Sequence, residues 1–554
     1  MKLFEQYQRM YDHYLGQPVQ PGMAQLAALL GSGERNVRLQ LGKMQARGWL
    51  NWQVARGRGH HSTLSFLQAP QTLRLARLQQ LIEQGEMEHA FASLADNQRQ
   101  ALMARLPALL GARPMSRELR VALYRAPASL DPAHVSSRLE SHLVRQVFDR
   151  LCGYDSQQQR LVPALAHYWE ADDTARRWRF WLRPDVRFHD GSPLQAEAVA
   201  ASVIRLRDEA NPFQRQYRHL SAIEVHGPLS LSFILSDTDW LWPNRLVTAS
   251  ASIVPPRRAP DFAREPIGSG PFMVKRHNAL RLSLGANPNY YRERPLLDQI
   301  DLWILPDQLA AASVDLQLSA TSSEEASPLR SACSYLLLNP ERIPDGESRR
   351  QLMRFLSQPA LVGADDPARQ AARGLLPEWN HPLARAPAQC PLPPGASLTL
   401  VCFELAGFQT LAAALARRLT RVGVQLRVRT LDYPEFERQE SWWDSTDLVL
   451  SSELMHSDLN YACHEWLGGN RILRRALSLD AGRWLDERLL AIQCEPRADA
   501  RMEGYRALGD WLVSEGWMLP LSHEQHRVFS HPEVAGLELG EGGWMDFSKL
   551  WLKL

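Results

Sequence analysis

WLNWQVARGRGHHSTLSF, residues 49–66, decides how the N-terminal part of this chain is built. Two glycines, two arginines and two histidines sit between two runs of strand-like character. A phosphate-binding loop needs G-x-x-x-x-G-K-[ST], with a strand before it and a helix after it. Here no Lys-Ser/Thr follows, and the next run, STLSF, is a strand pattern. Gly57 and Gly59 instead supply the positive φ that a tight hairpin needs. The stretch therefore reads as a β-hairpin with Arg56, Arg58, His60 and His61 at or beside its tip.

Upstream, LFEQYQRMYDHYL carries Leu3, Phe4, Tyr7, Met10, Tyr11, Tyr14 and Leu15 as a helical stripe. MAQLAALLG reads as a short second helix with Leu26, Leu29 and Leu30 inward and Gly31 as its stop. A third helix follows, with Ser32 as a candidate cap. Val37, Leu41 and Met44 recur at i, i+4 and i+7 and are expected to pack inward. Asn36, Gln40, Lys43 and Arg47 repeat that spacing on another face, flanked by Arg35 and Arg38. Such side chains reach phosphates and base edges. A short helix, a tight turn, a third helix with this face and a hairpin make a winged helix-turn-helix over residues 1–69, with a double-stranded DNA operator as the expected partner. A basic amphipathic face is also what a solvated helix presents, and a wing also serves protein interfaces.

Charge distribution points the same way. Residues 1–69 hold eight Lys and Arg against three acids, an excess of five, while the other 485 residues carry a deficit of three, within a net charge of +2. A local basic excess is the electrostatic footprint of nucleic-acid binding. Six scattered cysteines without C-x-x-C spacing argue against a zinc ribbon or a disulfide framework. The first residues lack a signal-peptide core, and no run of about 18 apolar residues exists, so a cytoplasmic protein without a membrane partner is expected.

Residues 70–114 read as a helical connector of three helices, LRLARLQQLIEQ, EMEHAFASLA and NQRQALMARLPALL, ending at GARPM. From about residue 115 strand and helix patterns mix. RELRVALY is strand-like, ESHLVRQVFDRLCGY helical, RRWRFWLRPDVRF strand-like and LQAEAVAASVIRLR helical.

Several of these stretches resemble the family 5 solute-binding proteins of peptide and nickel importers. YRAPASLDPA is similar to that family's first strand and L-D-P turn. RRWRFWLRPDVRFHDGSPLQAEAVAASVIRL resembles its signature strand, H-D-G turn and following helix. LVRQVFDRLCGYDSQQQRLVPALAHYWE, EPIGSGPFMV and ANPNYYRERPLLDQIDLWILPD match further segments. The resemblance spans most of 115–554. It implies a two-lobed α/β domain of the periplasmic-binding-protein type (class II), closing on a small ligand, and no catalytic residues. Its motifs are architectural: Asp190-Gly191 as a turn, Phe188 and Trp181 in a core, Gly268 and Gly270 at a tight reversal. Joined to a winged helix, this resembles the SgrR-like transcriptional regulators. Residues 26–66 are similar to their helix, recognition helix and wing. The resemblance implies a multidomain α/β regulator that senses a small-molecule effector, with sugar phosphates first in line and activation as the expected output. The alternative is a solute-delivery component of an importer whose N-terminal domain makes only protein contacts.

RLESHLVRQ resembles the regulator branch rather than the importers. Arg138, His142 and Arg145, at i, i+4 and i+7, are the candidate ligand-binding residues, two fixed cations and a titratable donor able to clamp a phosphate; a solvated helix face is the competing reading. Peptide binders use an Asp in a D-Y-x-x-P context, and DLVLSSELMHSDLNYACHEWL lacks it, with Met455 near the expected position and Asp458 further on. SHEQHRVFSH brings His523, Glu524, His526 and His531 together, but three apart and beside a strand, which is poor zinc-protease geometry. No G-x-S-x-G elbow exists. Neither enzyme activity nor a cofactor is expected.

Overall fold

The structure is a computed structural model. It describes residues 2–54, 62–73, 117–123, 125–135, 137–278, 281–304, 316–317, 331–357, 369–379, 389–405, 407–438, 441–525, 529–538 and 545–553. The chain divides into two compact units, Met1–Arg113 and Pro114–Leu554. The hairpin tip with Arg56, Arg58 and His60, and most of the expected connector, lie outside the described residues.

In the first unit, α1 (Lys2–His13), α2 (Met23–Leu30) and α3 (Glu34–Ala46) precede β1 (Leu50–Gln53) and β2 (Thr63–Phe66). Tyr7, Met10, Leu26, Leu30, Val37, Leu41, Met44, Leu50 and Leu64 form one core. The strands pair antiparallel from Leu50↔Phe66 to Gln53↔Thr63. Val19 adds a bridge to Leu64. Two expectations need correction. Leu15 is not inward: it takes φ 52° as α1 ends, and is 79% exposed. Ser32 does not cap α3. Gly31 turns left-handed at φ 59° to close α2, Gly33 is the extended N-cap residue, and Ser32 falls one position early.

The second unit has two lobes. The first holds the sheet β10-β11-β12-β3-β13-β20, a four-stranded sheet β6-β7-β9-β8 and the hairpin β4-β5. These strands are β3 (Glu118–Leu123), β4 (Cys152–Asp155), β5 (Arg160–Pro163), β6 (Ala166–Ala171), β7 (Arg177–Leu182), β8 (Leu220–Gly227), β9 (Ser230–Leu235), β10 (Phe272–His277), β11 (Arg281–Ala286), β12 (Gln299–Ile304), β13 (Leu316–Gln317) and β20 (Phe529–Ser530). The second lobe holds β15-β19-β14-β18-β16-β17, made of β14 (Ser331–Leu338), β15 (Arg369–Ala371), β16 (Ser397–Phe403), β17 (Gln425–Leu431), β18 (Leu448–Leu454) and β19 (Met518–Gln525). The chain crosses between lobes twice, after β13 and after β19.

Helices α4 (Arg138–Val147), α5 (Ala196–Asp208) and α6 (Trp242–Arg245) belong to the first lobe. Those used below from the second are α7 (Tyr433–Arg438), α8 (Leu459–Gly469), α9 (Arg471–Arg475) and α10 (Leu479–Gln493). The helix α4 stops at Val147, short of the sequence expectation, because Cys152–Asp155 pairs as a strand. Alternation in β7 buries Trp178, Phe180 and Leu182. Trp181, expected in a core, lies on the other face, where Arg179 stacks 4.7 Å from its ring centre and Tyr168 lies at 5.5 Å. Gly268 and Gly270 permit close approach: a Cβ on Gly268 would stand 2.0 Å from the Val147 carbonyl oxygen, while the Gly270 N–H donates to that oxygen at 2.9 Å. The Gly191 turn is held by Asp190, whose Oδ1 accepts from the Ser192 N–H.

Candidate nucleic-acid interface and lobe junction

On α3 the apolar phase works as expected, with Val37, Leu41 and Met44 fully buried. Arg35, Asn36, Arg38, Lys43 and Arg47 are exposed, and Gln40 is half-buried. The face is partly ordered by its own contacts. Arg38 pairs with Glu34 at 3.7 Å, Asn36 Nδ2 donates to Ser32 Oγ at 2.8 Å, and the Arg47 guanidinium sits 5.3 Å from the Trp49 ring centre. The buried Gln40 Oε1 has no protein hydrogen-bond partner. Sequence reasoning missed Leu39, which is 60% exposed among these polar side chains. Its signal is a leucine out of phase with the Val37/Leu41/Met44 stripe.

In the first lobe, α4 buries most of its circumference: seven of its ten residues are buried, and Leu139, Leu143, Val144 and Val147 share a core with residues of β3, β10, β11 and β12 and with Phe547 near the C-terminal end. His142 is 4% exposed, and its ring packs edge-on against Phe547 at 4.5 Å. Burial, helped by Arg145, pushes its pKa down to about 3. The expectation of His142 as a titratable donor on an open face is thereby corrected: it is a neutral core side chain. Arg138 and Arg145 are half-buried.

The same helix carries Glu140, 1% exposed and missed by sequence reasoning. Arg125 grips it with two bonds, at 2.6 and 3.0 Å, and Ser137 and the Ala128 N–H donate to it as well. The Arg125 guanidinium lies 5.8 Å from the ring centre of Tyr433, in the second lobe. Burial drives the Tyr433 hydroxyl well above its usual range, reinforced by Glu437, Glu453 and Glu140. Glu453, near the end of β18, is pushed up to about 7 by burial, against the Asn470 amide at 2.9 Å and the attraction of Arg138. Arg138 and Glu453 thus sense each other across the lobe junction.

Asp458, the carboxylate nearest the peptide binders' amine-pairing position, is consumed structurally. It caps α8 through the Tyr461 N–H and accepts from Asn244 Nδ2 at 2.6 Å. A second seam binds the lobes nearby. Arg245, 1% exposed, pairs with Asp239 at 2.7 Å and reaches Gln493 Oε1 at 2.7 Å and His464 Nε2 at 3.2 Å in the other lobe. His523 and Glu524 lie in β19; Glu524 accepts from Ser334 at 2.8 Å. His526 lies outside the described residues, and among the described residues no cluster of three metal-ligating side chains exists.

Residues 2–114 match the family described as sugar transport-related sRNA regulator N-term, and residues 160–316 match bacterial extracellular solute-binding proteins, family 5 Middle. An HTH-type transcriptional regulator SgrR from Yersinia pseudotuberculosis is 31% identical over 574 residues, covering 99% of this chain and 98% of its own. The chain belongs to the SgrR family. An SgrR of Pectobacterium atrosepticum is 28% identical with the same coverage. Among solved structures, the murein tripeptide binding protein MppA of Escherichia coli superposes with TM-score 0.66 at 16% identity, over 78% of this chain and 98% of its own. DppA from Helicobacter pylori gives 0.68 at 15% identity, over 79% and 98%. The SgrR-family chain therefore has the two-lobed family 5 fold behind its helical N-terminal unit, and it is a transcriptional regulator with a solute-binding-type domain. Among its described residues no helix is long and apolar enough to cross a membrane.

Proposed function

We propose that this protein activates transcription by binding an operator through α3 and the wing, and that closure of its two lobes on a small phosphorylated metabolite controls that binding. The observation that carries the reading is the joining, in one chain, of a three-helix unit with a cation-rich, outward α3 face to a two-lobed solute-binding fold. Arg35, Asn36, Arg38, Gln40, Lys43 and Arg47 on α3, with Arg56, Arg58 and His60 of the wing, are the DNA-contacting set. Leu39 joins them as an apolar contact for a thymine methyl. Arg138 and Arg145 remain the α4 candidates for the effector's charge, without His142. Residues 70–114 act as a separate connector between residues 1–69 and 115–554. The protein works in the cytoplasm, where its DNA is.

The reading is tested by fluorescence anisotropy of the purified chain on DNA from upstream of its own gene, with and without a hexose 6-phosphate. Salt-dependent, sequence-selective binding whose affinity changes with the sugar phosphate supports it. Binding that ignores DNA sequence and sugar phosphate alike rules it out.

A further inference from the structure

The side of α3 that points straight away from the core is not its most polar one. Val37, Leu41 and Met44 are fully buried. With about 3.6 residues per turn, Leu39, two positions from Val37 and two from Leu41, points away from both. Gly42, three residues further on, shares its surface. Leu39 is 60% exposed, and Arg35, Gly42 and Ala46 on the same side are exposed as well. Asn36, Gln40 and Arg47 lie on one flank of this line. Arg38 and Gln45 lie on the other, where Gln45 Oε1 accepts from the Trp52 N–H of β1 at 3.0 Å.

The fold itself gives Gly42 no task. Its backbone is ordinary helix, without a positive φ. Among the described residues no atom comes within 4 Å of the place its Cβ would take. Gly268 is the contrast, since a Cβ there would meet the Val147 carbonyl oxygen at 2.0 Å. Glycine inside a helix is less stable than alanine, because it loses more backbone freedom on folding. So α3 carries a destabilising residue whose missing side chain frees space only on the outer side, where a partner would sit.

Charge identifies that partner. Residues 34–47 hold four cations and one acid. The acid, Glu34, pairs with Arg38 at 3.7 Å. A polyanion complements such a helix. The major groove of duplex DNA, about 12 Å wide, scarcely exceeds an α-helix with its side chains, at about 10–12 Å. How deeply the helix enters therefore depends on the side chains along its leading line.

We propose that Gly42 and Leu39 set the sequence preference of α3: Gly42 lets the helix backbone approach the base edges, and Leu39, one turn earlier, meets a thymine methyl there. The preferred operator then carries an A·T pair opposite this turn. The inference rests on reading α3 as the DNA-contacting helix and assigns the residues that fix its depth and its apolar readout.

The test uses the full chain and fluorescence anisotropy on three DNA fragments: DNA from upstream of its own gene, the same fragment synthesised with deoxyuridine in place of thymidine, and an unrelated duplex. Gly42→Ala should weaken binding to the upstream fragment by about tenfold, with little change on the unrelated duplex. Gly42→Leu should weaken it further. In the same Gly42→Ala chain, hydrogen exchange of the α3 amides should slow by about fourfold, because alanine favours the helix. Wild type should bind the deoxyuridine fragment about fourfold more weakly, and Leu39→Ala should shrink that ratio towards one. A Gly42→Ala chain that binds the upstream fragment as tightly as wild type overturns the close approach. Weakened binding accompanied by faster exchange in α3 overturns it too, since the glycine would then serve the fold. A wild type indifferent to the thymine methyls, or a Leu39→Ala chain that keeps the full ratio, overturns the apolar readout. A wild type that does not distinguish the upstream fragment from unrelated DNA overturns the operator-binding reading itself.

Discussion

Lys43 and Gln40 share the outward side of α3, yet they should do different work. Lys43 is an exposed point charge; Lys43→Ala should weaken binding to all DNA sequences and reduce the salt slope by about one, measured by titrating complexes with KCl. Gln40 has a buried amide oxygen without a protein partner. Gln40→Ala should instead relax preference at one base pair, by about 1–3 kcal/mol of discrimination. Affinity unchanged in both variants would remove this face from the interface. His142 makes a pH prediction. Its pKa near 3 in the fold lies below the 6.5 of an exposed imidazole. Between those values the unfolded chain binds the extra proton, so its contribution to stability is complete above pH 6.5 and is lost as pH falls. The slope is about 1.4 kcal/mol per pH unit. His142→Phe should flatten the stability profile between pH 6 and 4 by about one proton, read from urea unfolding at several pH values. Nothing in the residue string RLESHLVRQ distinguishes a histidine on an open face from one against Phe547, because Phe547 arrives from the far end of the chain.

Elements were legible where a period of 3.6 or 2 is clean. The stripe Val37/Leu41/Met44 predicts the inward side of α3 correctly, and β7 behaves as an alternating strand. The phase of β7 was harder, since RWRFWL places aromatic residues on both faces. Only pairing with β6 and β9 decides that Trp178 is inside and Trp181 outside. Trp178→Ala should therefore cost about 3–5 kcal/mol in chemical denaturation. Trp181→Ala should cost a small fraction of that, since Trp181 is only half-buried, on the opposite face beside Arg179 and Tyr168. The two glycines before β10 have a similar history. Their spacing suggests a turn, but the constraint is the end of α4. Gly268→Ala sets a methyl group against the Val147 carbonyl and should destabilise by about 1–3 kcal/mol or more, with the loss read as a lower melting temperature.

At the scale of the whole molecule, the Arg245 seam joins the lobes by a buried ion pair extended with neutral acceptors. Arg245→Met leaves buried Asp239 with only His219 and the Leu241 N–H for partners among the described contacts and should cost about 3–5 kcal/mol. Gln493→Ala removes its bonds across the lobes, from Arg245 and to the Thr238 carbonyl, and should cost less, about 1–2 kcal/mol. It should do so while easing lobe opening, measured as a larger radius of gyration in small-angle scattering. A Gln493→Ala chain with unchanged scattering and unchanged stability would mean that the seam does not hold the lobes.

What the sequence determined by itself is local: helix phases on α1–α3, the hairpin pairing around residues 49–66, the Asp190-Gly191 turn and the motif strings of a two-lobed binding fold. These follow from side-chain periodicity and turn chemistry, which act over a few residues. Tertiary structure alone decided that His142 is core, that Asp458 is occupied by Asn244, that Arg245 reaches Gln493 across the lobes, and that Arg215 joins Arg471, Arg474 and Arg475 around one cavity. Each pairs residues separated by more than two hundred positions in the chain or set by the double lobe crossing. No spacing rule reaches that far, and burial, which sets the charge states, exists only once both lobes are built.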